Sequence, residues 1–184
     1  MHVSDAHGNI VDVDPVQITR QMLRYFTEVL EIPRVEFGGL PACPFVRRER
    51  EQDKIRYDIC QIAGLPPSIE SVERVRQFAD EPQYTTLLLI DPFTRLSVSE
   101  CVQYGVELSK AAADRRMVAI GVHPDDPFEI GGMRPRCIPY LTMLCQSVDL
   151  LQDAKQRLDG SAYYQRWTRA AWEYNAQQIG VFLR

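Results

Sequence analysis

The side chains best suited to chemistry are Cys43, His123, Asp125, Asp126, Arg134 and Arg136. Cys43 stands between Ala42 and Pro44 in RVEFGGLPACPFV, a glycine- and proline-rich stretch that reads as a structured loop. Such a loop holds a thiol rigidly for nucleophilic, redox or metal chemistry; the plainer alternative is a small buried residue that anchors the loop. His123 closes an apolar run and precedes Pro124, which biases its backbone toward an extended conformation. A general base for Cys43 needs that kind of fixed position, and the product would be a thiolate and imidazolium pair. Alternatively, the ring caps the strand by bonding to backbone. Asp125 and Asp126 are adjacent, so their carboxylates diverge: one can orient His123 or bind a metal while the other faces water. Gly131-Gly132 followed by Arg134 and Arg136 offers two guanidiniums on a flexible backbone, suited to the carboxylate or phosphate of a small substrate. The competing assignment pairs these arginines with Asp125, Asp126 or Glu129.

Three functional readings follow. In the first, the protein is an enzyme with Cys43, His123 and Asp125 as catalytic residues and Arg134 and Arg136 binding a small anionic metabolite. In the second, His123 and Cys43 hold iron, zinc or haem, Cys-Pro being also a haem-thiolate pattern. No close pair of ligands defines that metal site. In the third, the chain is a non-catalytic interaction module. The glycines and arginines form neither a phosphate-binding Walker loop nor a dinucleotide fingerprint.

The elements that must position these groups can be read from periodicity. Asp14 and Pro15 open a helix that runs to about Glu31, with Ile18, Met22, Tyr25, Phe26, Val29 and Leu30 on one face. After the Cys43 loop, Lys54 to Ile62 alternates as a half-buried strand. Ser68 starts a helix to about Asp80, and Tyr84 to Ile90 is a continuous apolar strand. Ser97 or Ser99 caps a further helix, and the strand Met117 to Val122 delivers His123. Pro139 is expected to start a helix containing Leu141, Met143, Leu144, Val148 and Leu151. From Ala154 onward the propensity is helical, with Tyr163, Tyr164, Trp167, Trp172 and Tyr174, and an apolar VFL near the end. The order points to an α/β or α+β fold. The expectation is a single layered domain over 1–184, a small sheet of three or more strands flanked by roughly four to six helices. The helix 15–31 and the aromatic region 154–184 should pack on it.

Composition narrows the classes. With 184 residues, 45% hydrophobic, 25% charged and a net charge of -4, the chain resembles an ordinary globular domain without a broad basic surface for nucleic acid. Glu49 and Glu51 interrupt the basic run Arg47, Arg48, Arg50. The polar, acidic start does not read as a signal peptide, and no apolar run reaches the roughly 20 residues of a membrane span, so a cytoplasmic protein without a membrane partner is expected. The 5 cysteines are odd in number and form no C-x-x-C, which predicts free thiols. The C-terminal aromatics suit a core or the surface of a homodimer.

Four short pieces, LPACPF at Leu40 to Phe45, TTLLLI at Thr85 to Ile90, GVHPDDPF at Gly121 to Phe128 and IPYLTML at Ile138 to Leu144, carry a resemblance. In this order and spacing the chain, over roughly residues 36 to 152, resembles the uncharacterised bacterial family called domain of unknown function 1415. The resemblance implies no established activity; it supports the boundaries of a core. Residues before it and the aromatic C-terminal region fall outside.

Overall fold

The computed structural model describes residues 2–4, 10–62 and 64–179. Two short strands, β1 (His2–Ser4) and β2 (Ile10–Asp12), pair antiparallel ahead of the first helix. Helix α1 (Pro15–Tyr25) begins as its sequence dictates: the Asp14 side chain accepts from the Val16 amide at 2.9 Å, and Pro15 occupies the first turn. The helix continues as one wider π-type stretch, Phe26–Leu30. Within the Cys43 loop region only a 3-10 turn forms, at Val35–Phe37. Immediately after it comes α2 (Val46–Glu51), a short helix the loop reading did not include, whose Arg47 and Glu51 lie 3.5 Å apart one turn on.

The main sheet has the order β3-β4-β6-β5, from β3 (Ile55–Ile59), β4 (Thr86–Asp91), β5 (Met117–Val122) and β6 (Leu141–Ser147). Strands β3 and β4 are parallel, and β6 runs antiparallel to both β4 and β5. The two crossovers carry α3 (Ile69–Ala79) and α4 (Val98–Ala111). Ser68 caps the first, and Ser97 with Glu100 forms a complete capping box on the second.

Residues 141–147 correct one expectation. They are a strand, and the helix α5 (Val148–Asp159) starts only at the Ser147 cap. Leu141, Met143 and Cys145 alternate onto one face of the sheet while Leu144 takes the other, a two-residue period that the spacing of Leu141, Leu144 and Val148 hides. A lane between β4 and β5, with edges to satisfy on both sides, decides in favour of the strand. The last helix is α6 (Arg169–Ile179), and the apolar VFL at 181–183 lies outside the described residues. The α/β layering expected from the sequence is what the elements build.

Each face of the sheet has its own core. Leu87 and Leu89 of β4, with Met117, Ala119, Leu141 and Met143, pack under α3 and α4. On that side Gly105 meets Gly121 so closely that a Cβ on Gly105 would lie 2.7 Å from the Gly121 nitrogen, and one on Gly121 would lie 2.2 Å from the Cys101 carbonyl oxygen. Leu88, Ile90, Ile120 and Val122 face the other way, toward Ile18, Met22 and Tyr25 of α1. A third cluster joins Phe37 and Ala42 of the Cys43 loop to Phe128, Tyr163 and the aromatic segment before α6. Among the described residues, no helix is long and apolar enough to cross a membrane.

Candidate ligand-binding cavity

The α1 side of the sheet is incompletely filled. A cavity of about 500 Å3 lies there, with the cross-strand row Leu88, Leu144 and Ile120 in its wall. Also lining it are the Cys43 loop, Arg136 and the aromatic residues Tyr163, Tyr164, Trp167 and Trp172. The volume is that of a site for a small organic molecule.

Two tyrosines fasten the loops that bring chemistry into it. Tyr163 donates its hydroxyl to the Ala42 carbonyl, and the Cys43 amide donates to the Leu30 carbonyl at 3.1 Å, so the residues on both sides of this peptide are tied. Tyr25 does the same for the other loop, donating to the Pro135 carbonyl just before Arg136. Both hydroxyls are buried, and desolvation raises both pKa values far above the ordinary tyrosine range, so they remain donors.

Arg136 reaches into the cavity as a desolvated cation. Its Nη2 donates to Asn175 Oδ1 at 2.6 Å. With the Gln178 amide oriented so that its nitrogen donates to the Gly121 carbonyl at 2.9 Å, its oxygen accepts from Arg136 Nη1 at 3.1 Å. The guanidinium lies over the Phe128 ring, 4.3 Å from its centroid, with Tyr174 at 5.8 Å. None of these groups carries a negative charge. Among the described residues no carboxylate comes within 4 Å of it, and burial lowers its pKa while Asp126 acts in the opposite direction.

Cys43 lines the same cavity, and its thiol is neutral. Burial pushes its pKa up, the charges of Glu49 and Glu31 push the same way, and hydrogen bonds from the Phe45 and Val46 backbone only oppose this. All the cysteines are free thiols, as their number and spacing predict.

The structure gives His123 a different part from that of a base for Cys43. Its Nδ1 accepts from the Asp125 amide at 2.9 Å, which puts the ring proton on Nε2, and Nε2 lies 3.0 Å from the Leu96 carbonyl. Both nitrogens are thereby engaged with backbone, and His123 is not among the residues lining the cavity. Asp125 contributes its amide to this cap; its side chain is 87% exposed, with Oδ2 3.9 Å from the histidine. Asp126 is instead 1% exposed. Its Oδ1 accepts from the Phe128 amide at 2.8 Å, while its Oδ2 and the buried Tyr174 hydroxyl interact with each other outside good hydrogen-bond geometry. Arg134 and Arg136 part company because Pro135 and Arg136 form a turn: Arg134 stays outside and donates to the Asp126 carbonyl at 2.7 Å. Zinc or non-haem iron needs several donors converging on one point, and among the described residues no three histidine, cysteine or acidic side chains do so. The pairing of His123 with Cys43 as metal ligands therefore lacks the rest of a coordination sphere.

No family model, curated protein or solved structure matches this chain. The site must therefore be understood from its own residues, several of which the sequence leaves unmarked. Tyr25 has the spacing of a core residue on α1, and Asn175 and Gln178 look like ordinary polar positions of a helix. Their only signal is the fold, which turns them toward a buried guanidinium.

Proposed function

We propose that this protein is an enzyme that binds a small anionic metabolite in the cavity, with Arg136 holding the anion and the Cys43 thiol facing the bound molecule. The observation that carries this is the desolvated Arg136 guanidinium with no carboxylate within 4 Å: Asp126 attracts it only from beyond that distance, and an anionic ligand in this largely apolar cavity supplies a direct partner. Kinship with the family called domain of unknown function 1415 belongs to the same proposal. It rests on four motifs, each of which contributes to the cavity wall: Cys43, Leu88, Phe128 and Leu144 each come from a different one.

Anilinonaphthalene sulfonate, an anion with an apolar body, tests the reading. Its fluorescence should rise on binding, and Arg136→Gln should weaken binding by about tenfold or more, the effect of losing a charge-assisted hydrogen bond. Bound probe should also slow alkylation of Cys43. Equal affinity in wild type and variant, with Cys43 unprotected, would refute the assignment.

A further inference from the structure

The surroundings of Arg136 say more about the anion than its charge. Leu88, Ile120, Val122 and Leu144 line the cavity from the sheet, where Gln146 donates to Thr86 at 2.8 Å and Thr142 to the Tyr140 carbonyl at 2.9 Å, and Phe128 and Trp167 line it as well. A sugar acid, an amino acid or a phosphorylated metabolite would bring hydroxyl, ammonium or phosphate groups against these side chains and leave them without hydrogen bonds, each at a substantial desolvation cost.

Charge narrows the class further. Three other cations reach the cavity wall, and each has its own carboxylate: Arg48 lies 3.4 Å from Glu49, Lys155 2.6 Å from Asp159 and Arg157 2.9 Å from Asp153. Among the described residues, Arg136 is the lining cation with no carboxylate within 4 Å, and Asp126, which attracts it, is not part of the lining. The site thus balances a single negative charge. A guanidinium with two N–H groups already engaged by Asn175 and Gln178 retains others for a planar acceptor, and a carboxylate matches that planar fork.

We infer that the ligand is an apolar monocarboxylate, an acid whose single carboxylate sits on Arg136 and whose hydrocarbon body, chain or ring, fills the space lined by the Leu88–Leu144–Ile120 row and the aromatic residues. This inference rests on the reading of Arg136 as the anion holder and specifies what that anion is attached to.

The chain's 2 tryptophans, Trp167 and Trp172, both line the cavity, so intrinsic fluorescence reports its occupancy. The wild-type protein would be titrated with straight-chain acids from hexanoate to dodecanoate, each below its micelle concentration. Dodecanol, dodecanedioate, citrate and inorganic phosphate would be titrated in parallel. Affinity for the monocarboxylates should rise by up to about fourfold per methylene, the equivalent of ~0.8 kcal/mol per buried CH2, until the cavity is full. Dodecanedioate, citrate and phosphate should bind more weakly than dodecanoate. In Arg136→Gln, dodecanoate should lose about tenfold or more while dodecanol is unchanged. Citrate or phosphate binding more tightly than dodecanoate, and lost in Arg136→Gln, would overturn this inference and leave the anion-holding role of Arg136 standing. A flat chain-length series in the wild-type protein would overturn it without reference to any variant. Equal binding of dodecanoate and dodecanol to both proteins would overturn the two together.

Discussion

The Tyr163 hydroxyl donates to the carbonyl of Ala42, 121 residues earlier in the chain, and so fixes the peptide that leads into Cys43. Tyr25 makes the matching bond to Pro135, 110 residues later, at the peptide that leads into Arg136. The thiol and the guanidinium thus share one design: the residue before the functional side chain is held by a buried phenol.

Tyr163→Phe should test this. Losing the hydroxyl leaves the buried Ala42 carbonyl without its donor, at a cost of about 1–3 kcal/mol. Urea unfolding should show that loss, and the loosened loop should let iodoacetamide reach Cys43 faster under native conditions. Unchanged stability together with an unchanged labelling rate would mean that the bond holds nothing.

Cys43 should be a slow nucleophile in the resting protein. Its folded-state pKa lies above the ordinary 9.0, so the thiolate is scarce at neutral pH. Peptide-resolved mass spectrometry should find little alkylation of Cys43 between about pH 7 and 8, with the rate climbing only at higher pH. A labelling profile that turns upward well below 9.0 would reveal a base or cation that this arrangement lacks.

His123 is a cap, so its removal should cost stability and spare the cavity. His123→Ala loses the bonds to the Leu96 carbonyl and the Asp125 amide and is expected to destabilise the fold by about 2–3 kcal/mol. Below its unfolding midpoint, the variant should bind anilinonaphthalene sulfonate as the wild type does and label Cys43 at the same rate. A change in Cys43 reactivity without loss of stability would return His123 to the role of base.

Asp126 gives stability a pH dependence of definite sign. Burial is the largest influence on it and raises its pKa above the ordinary 3.8, so the folded state holds the proton more tightly than the unfolded chain. Its contribution is therefore fully present below the ordinary value and is lost as pH rises through the folded-state value. Asp126→Asn, which keeps an oxygen for the Phe128 amide, removes that loss. Urea unfolding of the two proteins should agree most closely at about pH 4, and the variant should gain relative stability toward pH 7. The opposite trend would mean that attraction to Arg136 outweighs burial.

Much of this was written locally. Asp14-Pro15, Ser68 and the Ser97–Glu100 box announce helices because capping is a contact among neighbours, and Met117 to Val122 announces a strand because its run is short, apolar and bounded. Cys43 and Arg136 could be singled out by type, since thiols and guanidiniums near glycine and proline are few. Residues 141–147 misled because a strand filling an inner lane is settled by its two neighbours rather than by its own period. The split between Arg134 and Arg136 depends on the turn at Pro135, and the occupation of both His123 nitrogens depends on Leu96, which reaches the ring from another loop. No spacing rule reports contacts of that kind.

The position of β6 also sets an order for making the protein. Strands β4 and β5 leave the ribosome before residues 141–147 do, yet in the finished sheet β6 lies between them. A nascent chain that stops short of Leu141 therefore cannot complete this sheet, and any portion already assembled lacks the strand that joins β4 to β5. Until that strand arrives, their facing edges are open to annealing with another chain. Synthesis of this protein thus has its most vulnerable interval between the emergence of Val122 and that of Ser147, and a translational pause there would favour aggregation over folding.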